Sequence, residues 1–337
     1  MLSDKKIAIA ILNYNGLGLL KKYLPSVIEY SNNKISSIYL IDNNSRDESL
    51  VFVRKNYPHI KIIENKKNYG YSKGYNIGLS EIKSEYYVLL NNDVEVTKNW
   101  LNPMIELLES NENYATCQPK IRSSHKRNKF DYAGASGGFV DLLYYPFCRG
   151  RIFNTIEKDK GQYDNEKEVF WSSGACLMIK SKIFKKLNGF DSDFFAHMEE
   201  IDLCWRLKNL NYKNYCQPKS LVYHSGGQTL DESNPKKTYL NFRNNLIMIL
   251  KNENIFKVFP IIFIRTFFDF FASIKISFDK KNFFHTLAVL LAYTAFTFKI
   301  PKIIINKKVW ISNRANPKKI ILPIKYFFMG KKRFSDL

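Results

Sequence analysis

Short apolar runs alternate with stretches of helical periodicity through the first part of the chain. Residues 7–12, 37–41, 60–63, 86–90 and 115–121 are runs of aliphatic and aromatic side chains bounded by polar ones. Such runs predict strands buried on both faces, as in a parallel sheet. Between them, Leu17, Leu20, Leu24, Val27 and Ile28 recur at helical spacing, with Pro25 bending or restarting that helix. Residues 48–56, closed by Pro58, and 99–109 suit further helices. Strands alternating with helices predict βαβ units and an α/β fold with a mostly parallel central sheet flanked by helices. Residues 123–168 break the pattern and predict long loops or a hairpin, a wall for a second substrate. Residues 170–179 read as a strand, 181–187 as a short helix stopped by Asn188-Gly189, and 221–224 as the end of another short strand.

Three of the early strands end on clustered polar groups: Asn13 and Asn15, then Asp42, Ser45 and Asp47, then Asn91, Asn92 and Asp93. In an open α/β sheet the ligand crevice lies just past the carboxyl ends of the strands, so three such ends converge on one place. A carboxylate there, such as Asp93 with Glu95 two residues on, can hold a hard divalent cation that bridges to phosphate. The other reading of each end is an ordinary polar exit from a strand. Gly70, Gly74 and Gly78 fall on one face of a helix. Each interior glycine costs about 1 kcal/mol against alanine, so close approach to a ligand or tight packing on the sheet must offset it. Glu199, Glu200 and Asp202 sit at the start of another helix, after Phe194-Phe195-Ala196. Acids there suit the helix dipole, but apolar neighbours also raise a carboxylate pKa and fit it for general-base work. His224 ends a strand, either as a structural histidine or as a metal ligand beside Asp93.

The chain has 337 residues and a net charge of +21, which points to anionic partners. The charge is concentrated late: from Lys236 onward there are 20 Lys and Arg against 4 Asp and Glu. Residues 261–271 and 283–298 are apolar and aromatic, each short of the roughly 20 residues a spanning helix needs. With Lys and Arg around them, they read as interfacial or re-entrant helices on an anionic membrane, or as a helical layer packed on the rest. No RNA-binding motif accompanies them, and nucleic acid is not an expected partner. The five cysteines are scattered and odd in number, which excludes a zinc site or disulfide framework and suits a reducing compartment. The apolar run at residues 7–12 is too short for a signal peptide.

Taken in order, the motifs are a strand ending Asn13-Tyr14-Asn15, then Asp42-Asn43-Asn44-Ser45-Arg46-Asp47, and the glycine helix from Asn68 to Gly78. Asn91-Asn92-Asp93-Val94, Gly174-Ala175 with Ile179, Glu199-Glu200-Ile201-Asp202-Leu203 with Arg206, and Tyr223-His224 follow. Over residues 6–245 this series resembles family 2 glycosyltransferases of the GT-A fold, especially bacterial rhamnosyltransferase-like members. The resemblance implies a GT-A nucleotide-diphospho-sugar transferase domain over residues 1–245 with a basic, apolar, membrane-associating helical tail over 246–337. It implies inverting transfer from a nucleotide diphosphate sugar, dTDP- or UDP-linked, to a lipid-linked or polysaccharide acceptor at the inner face of the cell membrane. Asp42 would bond the base, and Asn13 and Asn15 would line the nucleotide pocket. Asn44, Ser45, Asn68, Gly70, Lys73, Asn76, Asn91, Asn92, Trp171 and Gly174 would complete the substrate site. Asp93 and His224 would bind Mg²⁺ or Mn²⁺. Glu200 would be the base, at the position where many relatives carry Asp, with Asp202 in reserve and Glu199 beside it. The single carboxylate of Asn91-Asn92-Asp93, where relatives carry two or three, leaves Glu95 to compensate. A nucleotidyltransferase also places a metal and a nucleotide at such a sheet edge and is the alternative enzyme; a catalytically inactive nucleotide-binding scaffold is the non-enzymatic one.

Overall fold

The structure is a computed structural model that describes residues 5–32, 34–226, 233–307 and 316–337. The first half runs β1 (Ile7–Asn13), α1 (Leu17–Tyr30), β2 (Ser36–Asp42), α2 (Ser49–Asn56), β3 (Lys61–Glu64), α3 (Gly70–Ser80), β4 (Tyr86–Asn91), β5 (Val94–Val96), α4 (Asn102–Glu109) and β6 (Tyr114–Ser123). Next come the short strands β7 (Gly138–Val140), β8 (Pro146–Cys148), β9 (Arg151–Ile152) and β10 (Thr155–Ile156). Then follow β11 (Lys167–Val169), β12 (Cys176–Lys180), α5 (Ser181–Lys186), α6 (Glu199–Asn209) and β13 (Lys213–His224). Three long helices follow, α7 (Pro235–Asn252), α8 (Ile255–Asp279) and α9 (Phe284–Ile305), and short helical turns at Ile324–Phe328 and Phe334–Asp336 come after them.

Among the described residues, nine strands form one sheet in the order β11-β13-β6-β12-β4-β1-β2-β3, with β5 pairing the end of β13. The pairs β4/β1, β1/β2, β2/β3 and β6/β13 are parallel, and β12 lies antiparallel between β4 and β6. Side chains alternate across this sheet. Ile7, Ile9 and Ile11 pack with α1 and α4, while Ala8 and Ala10 pack with α3, α5 and α6. Both faces are therefore covered, as the continuous apolar runs predict.

The register brings the polar strand ends together: Asn13 sits opposite Asp42, Leu12 opposite Asn91, and Asp42 opposite Glu64. The glycines of α3 are explained by packing on this sheet. A side chain at Gly74 would strike the Asn43 amide and one at Gly78 would strike Ile41. Tight packing, rather than a ligand, is what these two positions serve.

Three expectations change. Residues 123–168 are not merely loops or one hairpin, since they carry β7 to β10 as a four-stranded antiparallel sheet. The strand expected over residues 170–179 begins only at Cys176. Phe170 and Trp171 instead fill a second core with Phe130, Phe194, Trp205 and Leu246, because Trp171 lies on Gly138 and donates to the Phe139 carbonyl at 3.0 Å. The tail helices outrun their apolar stretches, α8 reaching 25 residues and α9 reaching 22. By length and composition α9 alone among the described residues could cross a membrane, contrary to the expectation that both runs fall short. Part of the tail is packed inward: Val258, Phe296 and Ile303 belong to the second core.

Candidate functional site

The carboxyl ends of three strands form a wall held by a chain of side-chain hydrogen bonds. Asn13 donates from Nδ2 to Asp42 Oδ1 at 3.0 Å and to Ser45 Oγ at 3.2 Å, and it accepts from Asn92 Nδ2 at 3.0 Å. Asp42 also accepts from the Ser45 amide at 2.7 Å and the Ser45 hydroxyl at 2.6 Å. Asp42 is fully buried with both oxygens engaged, so it braces the wall in this state rather than presenting a free acceptor. Asn15 and Asn44 adopt left-handed backbone, with φ of 49° and 63°, a conformation that Asn tolerates well. The Asn15 amide donates to Ser45 Oγ and its side chain accepts from the Arg46 amide. Gly16 leaves room for the Asn13–Asn92 pair, whose atoms a Cβ there would meet at 2.3 and 2.4 Å. Asp47 belongs to local architecture, since it accepts from the Leu17 amide at the head of α1 and from Ser49.

Past the end of β4, Asp93 is buried at 4% exposure and meets His224 with Oδ1 to Nε2 at 3.1 Å. Its other oxygen accepts from the Gly226 amide at 3.0 Å. The far ring nitrogen of His224, Nδ1, lies 3.0 Å from Asp131 Oδ2. Burial alone would raise the Asp93 carboxyl, yet His224 and the Gly226 amide hold it below the usual carboxylate range. Burial would lower His224, but Asp131 and Asp93 outweigh it and hold the imidazole well above its ordinary value.

Asp93 Oδ1 and His224 Nε2 are a donor pair that would suit a divalent cation once the hydrogen between them is displaced. The carboxylate oxygen and imidazole nitrogen are of the types that Mg²⁺ or Mn²⁺ takes, and Asp131 orients the ring through Nδ1. No group of three or more His, Cys, Asp and Glu among the described residues is arranged to hold a metal, so Asp93 and His224 are the pair those residues offer. Glu95 is not a third, because both its oxygens accept from Arg127 Nη2 at 2.6 and 2.5 Å.

The acidic cluster heads α6. His197 and Met198 precede it with φ of 71° and 74°, a strained pair for non-glycine residues. Asn244 of α7 holds this loop by donating to the Ala196 and His197 carbonyls at 2.9 and 2.8 Å. The three acids differ sharply. Asp202 accepts from Arg206 Nε and from Asn252 Nδ2, both at 2.7 Å, so it is spent on structure and is excluded as the reserve base. Glu199 and Glu200 each keep a buried Oε2 with no partner among the described residues. Burial pushes the Glu200 carboxyl up to about 7, and burial with the charge of Glu200 pushes Glu199 well above the usual range. Two adjacent carboxyls titrating apart leave Glu200 the one that ionises first, near neutral pH. A Cβ built on Gly174 would lie 3.7 Å from Glu200 Cβ and 2.9 Å from the Tyr71 hydroxyl, which donates to the Gly174 carbonyl. The next carbonyl, Ala175, accepts from the Asn91 amide at 3.0 Å. Gly174-Ala175 therefore joins the acidic cluster to the β4 exit.

Other expected residues stand apart from this centre. Asn76 is fully engaged with the Phe190 backbone, donating at 2.7 Å and accepting at 2.9 Å, and Trp171 is buried in the second core. Neither is a substrate group as expected. Asn68 caps Gly70, whose amide donates to Asn68 Oδ1 at 2.9 Å, and Gly70 at φ 75° lies under Phe195. Lys73 Nζ lies 4.9 Å from the Tyr69 ring centroid. The residues that sequence reasoning missed are Tyr71, Asp131 and Asn244. Asp131 lies in the irregular segment, where no periodicity marks it, and Asn244 reads only as a polar helix residue.

The chain matches the model of glycosyl transferase family 2 over residues 8–187. It is 26% identical over 256 residues to the low-salt glycan biosynthesis hexosyltransferase Agl10 of Haloferax volcanii, covering 73% of this chain and 76% of that protein. It is 21% identical over 232 residues to the N-acetylglucosaminyl-diphospho-decaprenol L-rhamnosyltransferase of Mycobacterium tuberculosis, covering 65% of this chain and 75% of that one. Among solved structures, GalNAc-T7 with UDP, GalNAc and Mn²⁺ superposes with a TM-score of 0.59 at 18% identity, over 73% of this chain and 48% of that one. The mannosyltransferase PcManGT of Pyrobaculum calidifontis with GDP-Man and Mn²⁺ gives 0.51 at 11% identity, over 89% and 76%. These likenesses fix a GT-A-like fold, and with the family match over more than half the sequence, the chain belongs to glycosyl transferase family 2 and is a glycosyltransferase.

Proposed function

We propose that the enzyme takes its sugar from a nucleotide diphosphate sugar, dTDP- or UDP-linked, and passes it with inversion to a lipid-linked or polysaccharide acceptor in cell-surface glycan synthesis. The relatives named above, a glycan-biosynthesis hexosyltransferase and a rhamnosyltransferase acting on a diphospho-decaprenol acceptor, support this choice. Asn13, Asn15, Asp42, Asn44 and Ser45 form the nucleotide wall, with Asn91 and Asn92 at its floor. Asp93 and His224 would hold Mg²⁺ or Mn²⁺, and the ion would supply positive charge against the charge developing on the leaving diphosphate. Glu200 takes the proton of the acceptor hydroxyl, and Glu199 stays neutral beside it. Asp131 orients His224. Residues 1–245 carry catalysis, and the basic helices of 246–337 hold the enzyme at the cytoplasmic face of a membrane.

The observation that carries this reading is the Glu200 carboxylate, with a buried unpaired oxygen, joined through Gly174-Ala175 to the strand that presents Asp93. A general base must keep a free oxygen within about 3 Å of the hydroxyl it deprotonates. The test is a panel of nucleotide sugars with Mn²⁺ or Mg²⁺, scored for the phosphate product released. Nucleoside diphosphate, formed only with metal, is the expected product. Release of sugar 1-phosphate would mean nucleotidyl transfer instead, and failure of every nucleotide sugar to bind would leave a scaffold.

A further inference from the structure

Helix α8 has its polarity reversed. Its buried positions are Val258, Arg265, Asp269 and Ser273, a single stripe whose spacing keeps it on one side. Arg265 donates to the Leu143 carbonyl at 2.7 Å and pairs with Asp269 at 3.3 Å, where both side chains are almost wholly buried. Asp269 also accepts from the Tyr145 hydroxyl at 2.5 Å and from the Tyr293 hydroxyl of α9 at 2.7 Å. The opposite side carries Phe256, Phe263, Phe267, Phe271 and Phe278, exposed at 86, 81, 63, 54 and 78%. A helix on a water-soluble protein shows the converse, with apolar residues inward and charges outward.

Helix α9 extends the same surface. His285, Ala288, Val289, Ala292, Phe296 and Ile303 face inward, while Leu287, Leu290, Leu291 and Phe298 stand out at 41, 54, 52 and 82%. Because one side of α9 is seated on protein, it is not a lone span surrounded by lipid, although its length permits crossing. Exposed Lys257, Lys281 and Lys302 stand near the ends of the two helices. Their charge, within the 20 Lys and Arg against 4 Asp and Glu from Lys236 onward, would set two copies of this face against each other and draws it to an anionic one.

We propose that α8 and α9 form a monotopic seat: they lie in one leaflet of an anionic bilayer with their aromatic face against acyl chains and the Arg265–Asp269–Tyr145–Tyr293 seam turned to the catalytic body. This deepens the membrane attachment proposed above, and it rests on none of the donor, metal or base assignments. Turnover on a soluble acceptor and binding to vesicles therefore fail separately. The polar seam makes the seat an integral layer of the fold. A tail deletion would strip Val258, Phe296 and Ile303 from the second core as well as the lipid contact, so surface substitutions are the sounder test.

The experiment uses the full chain and the variant Phe263→Ser/Phe267→Ser/Phe271→Ser, which alters only exposed positions. Both are floated with phosphatidylcholine vesicles and with vesicles containing 30% phosphatidylglycerol, at low and high salt. The wild type is expected to float best with anionic vesicles and to keep part of its binding in high salt, because acyl insertion is not screened. The triple variant, with an unchanged melting temperature, is expected to lose about 100-fold or more in partition, from the removal of three large apolar side chains. A separate Phe267→Trp variant reads depth: bromine on the acyl chains is expected to quench its indole fluorescence. Flotation of the triple variant equal to wild type, or no quenching in the Phe267→Trp variant, overturns the seat. So does a wild-type dimer that ignores vesicles and becomes monomeric in the triple variant, since a second copy then covers the face.

Discussion

Replacing Glu200 with Gln tests the chemistry and the energetics of the site at once. The substitution keeps shape and removes the proton acceptor, so turnover should fall by about 10²–10⁴-fold, the usual worth of general-base catalysis. Donor affinity should stay nearly constant, because the nucleotide wall lies on the other strand ends. The wild-type rate should also fall about tenfold per pH unit below 7, where Glu200, at about 7, binds its proton. Stability carries an independent signature. Burial raises this carboxyl from 4.5 in the unfolded chain to about 7 in the folded one. Between those values the native state binds a proton that the unfolded state has lost, so folding weakens as pH rises through that window. The cost is complete above pH 7 and absent below 4.5, and a difference of this size amounts to a few kcal/mol. Glu200→Gln should therefore be nearly inactive yet more stable than wild type at pH 8, with the gain vanishing near pH 4.5. Nucleoside diphosphate release and thermal melts at the two pH values measure both effects. A variant that is active, or dead without any gain in stability at pH 8, refutes the assignment; if Glu199→Gln is dead instead, the base is its neighbour.

Asp93→Ala should abolish transfer and the metal dependence of donor binding, and titration with Mn²⁺ followed by electron spin resonance should show the site lost. Asp131→Asn should weaken Mn²⁺ affinity by about 10–100-fold, the usual effect of removing a partner that orients a ligand histidine, with Asp131→Glu recovering part of it. Asp269→Ala should destabilise the fold by about 3–5 kcal/mol in urea melts, because it leaves Arg265 charged and unpaired in the interior. The double replacement Arg265→Met/Asp269→Leu should recover most of that loss, and its failure to do so would show the seam to be more than an ion pair.

The parallel half of the sheet was legible because burial on both faces leaves a sequence few options. Residues 7–12 and 86–90 admit little except central strands, and the amides and acids after them mark where burial ends. The pairing of Asn13 with Asp42 followed from that geometry once the strands were parallel, whereas Asp93 meets His224 because β5 runs antiparallel to the end of β13. The individual roles were less legible, since a residue type does not state its partner. Asn76 looked like a donor-pocket amide, and only the approach of Phe190 shows its hydrogen bonds already taken. Asp202 and Glu200 are two residues apart on the same first turn. What separates them is Arg206 four residues on and Asn252 from a helix 50 positions later. Trp171 and the short antiparallel strands were illegible for the same reason: their order comes from tertiary contacts across loops, with no periodicity to read.

The composition break near residue 245 marks a change of work rather than a joint in the structure. Helix α7 runs unbroken through it, and Leu246, Ile247, Met248, Ile249 and Leu250 on its far side are fully buried. Just before the break, Asn244 holds the Ala196 and His197 carbonyls. Just after it, Lys251 pairs with Asp191 and Asp193, and Asn252 engages Asp202. Both sides of the boundary thus grip the loop and helix that present Glu200. A chain cut at residue 246 would lose those contacts together with the seat, and its failure would say nothing about which was lost. Asn244→Ala separates them: it leaves the lipid-facing surface intact and frees the His197 backbone, so turnover should fall while vesicle binding stays as in the wild type. If vesicle binding is lost as well, α7 positions the seat as much as it positions the base.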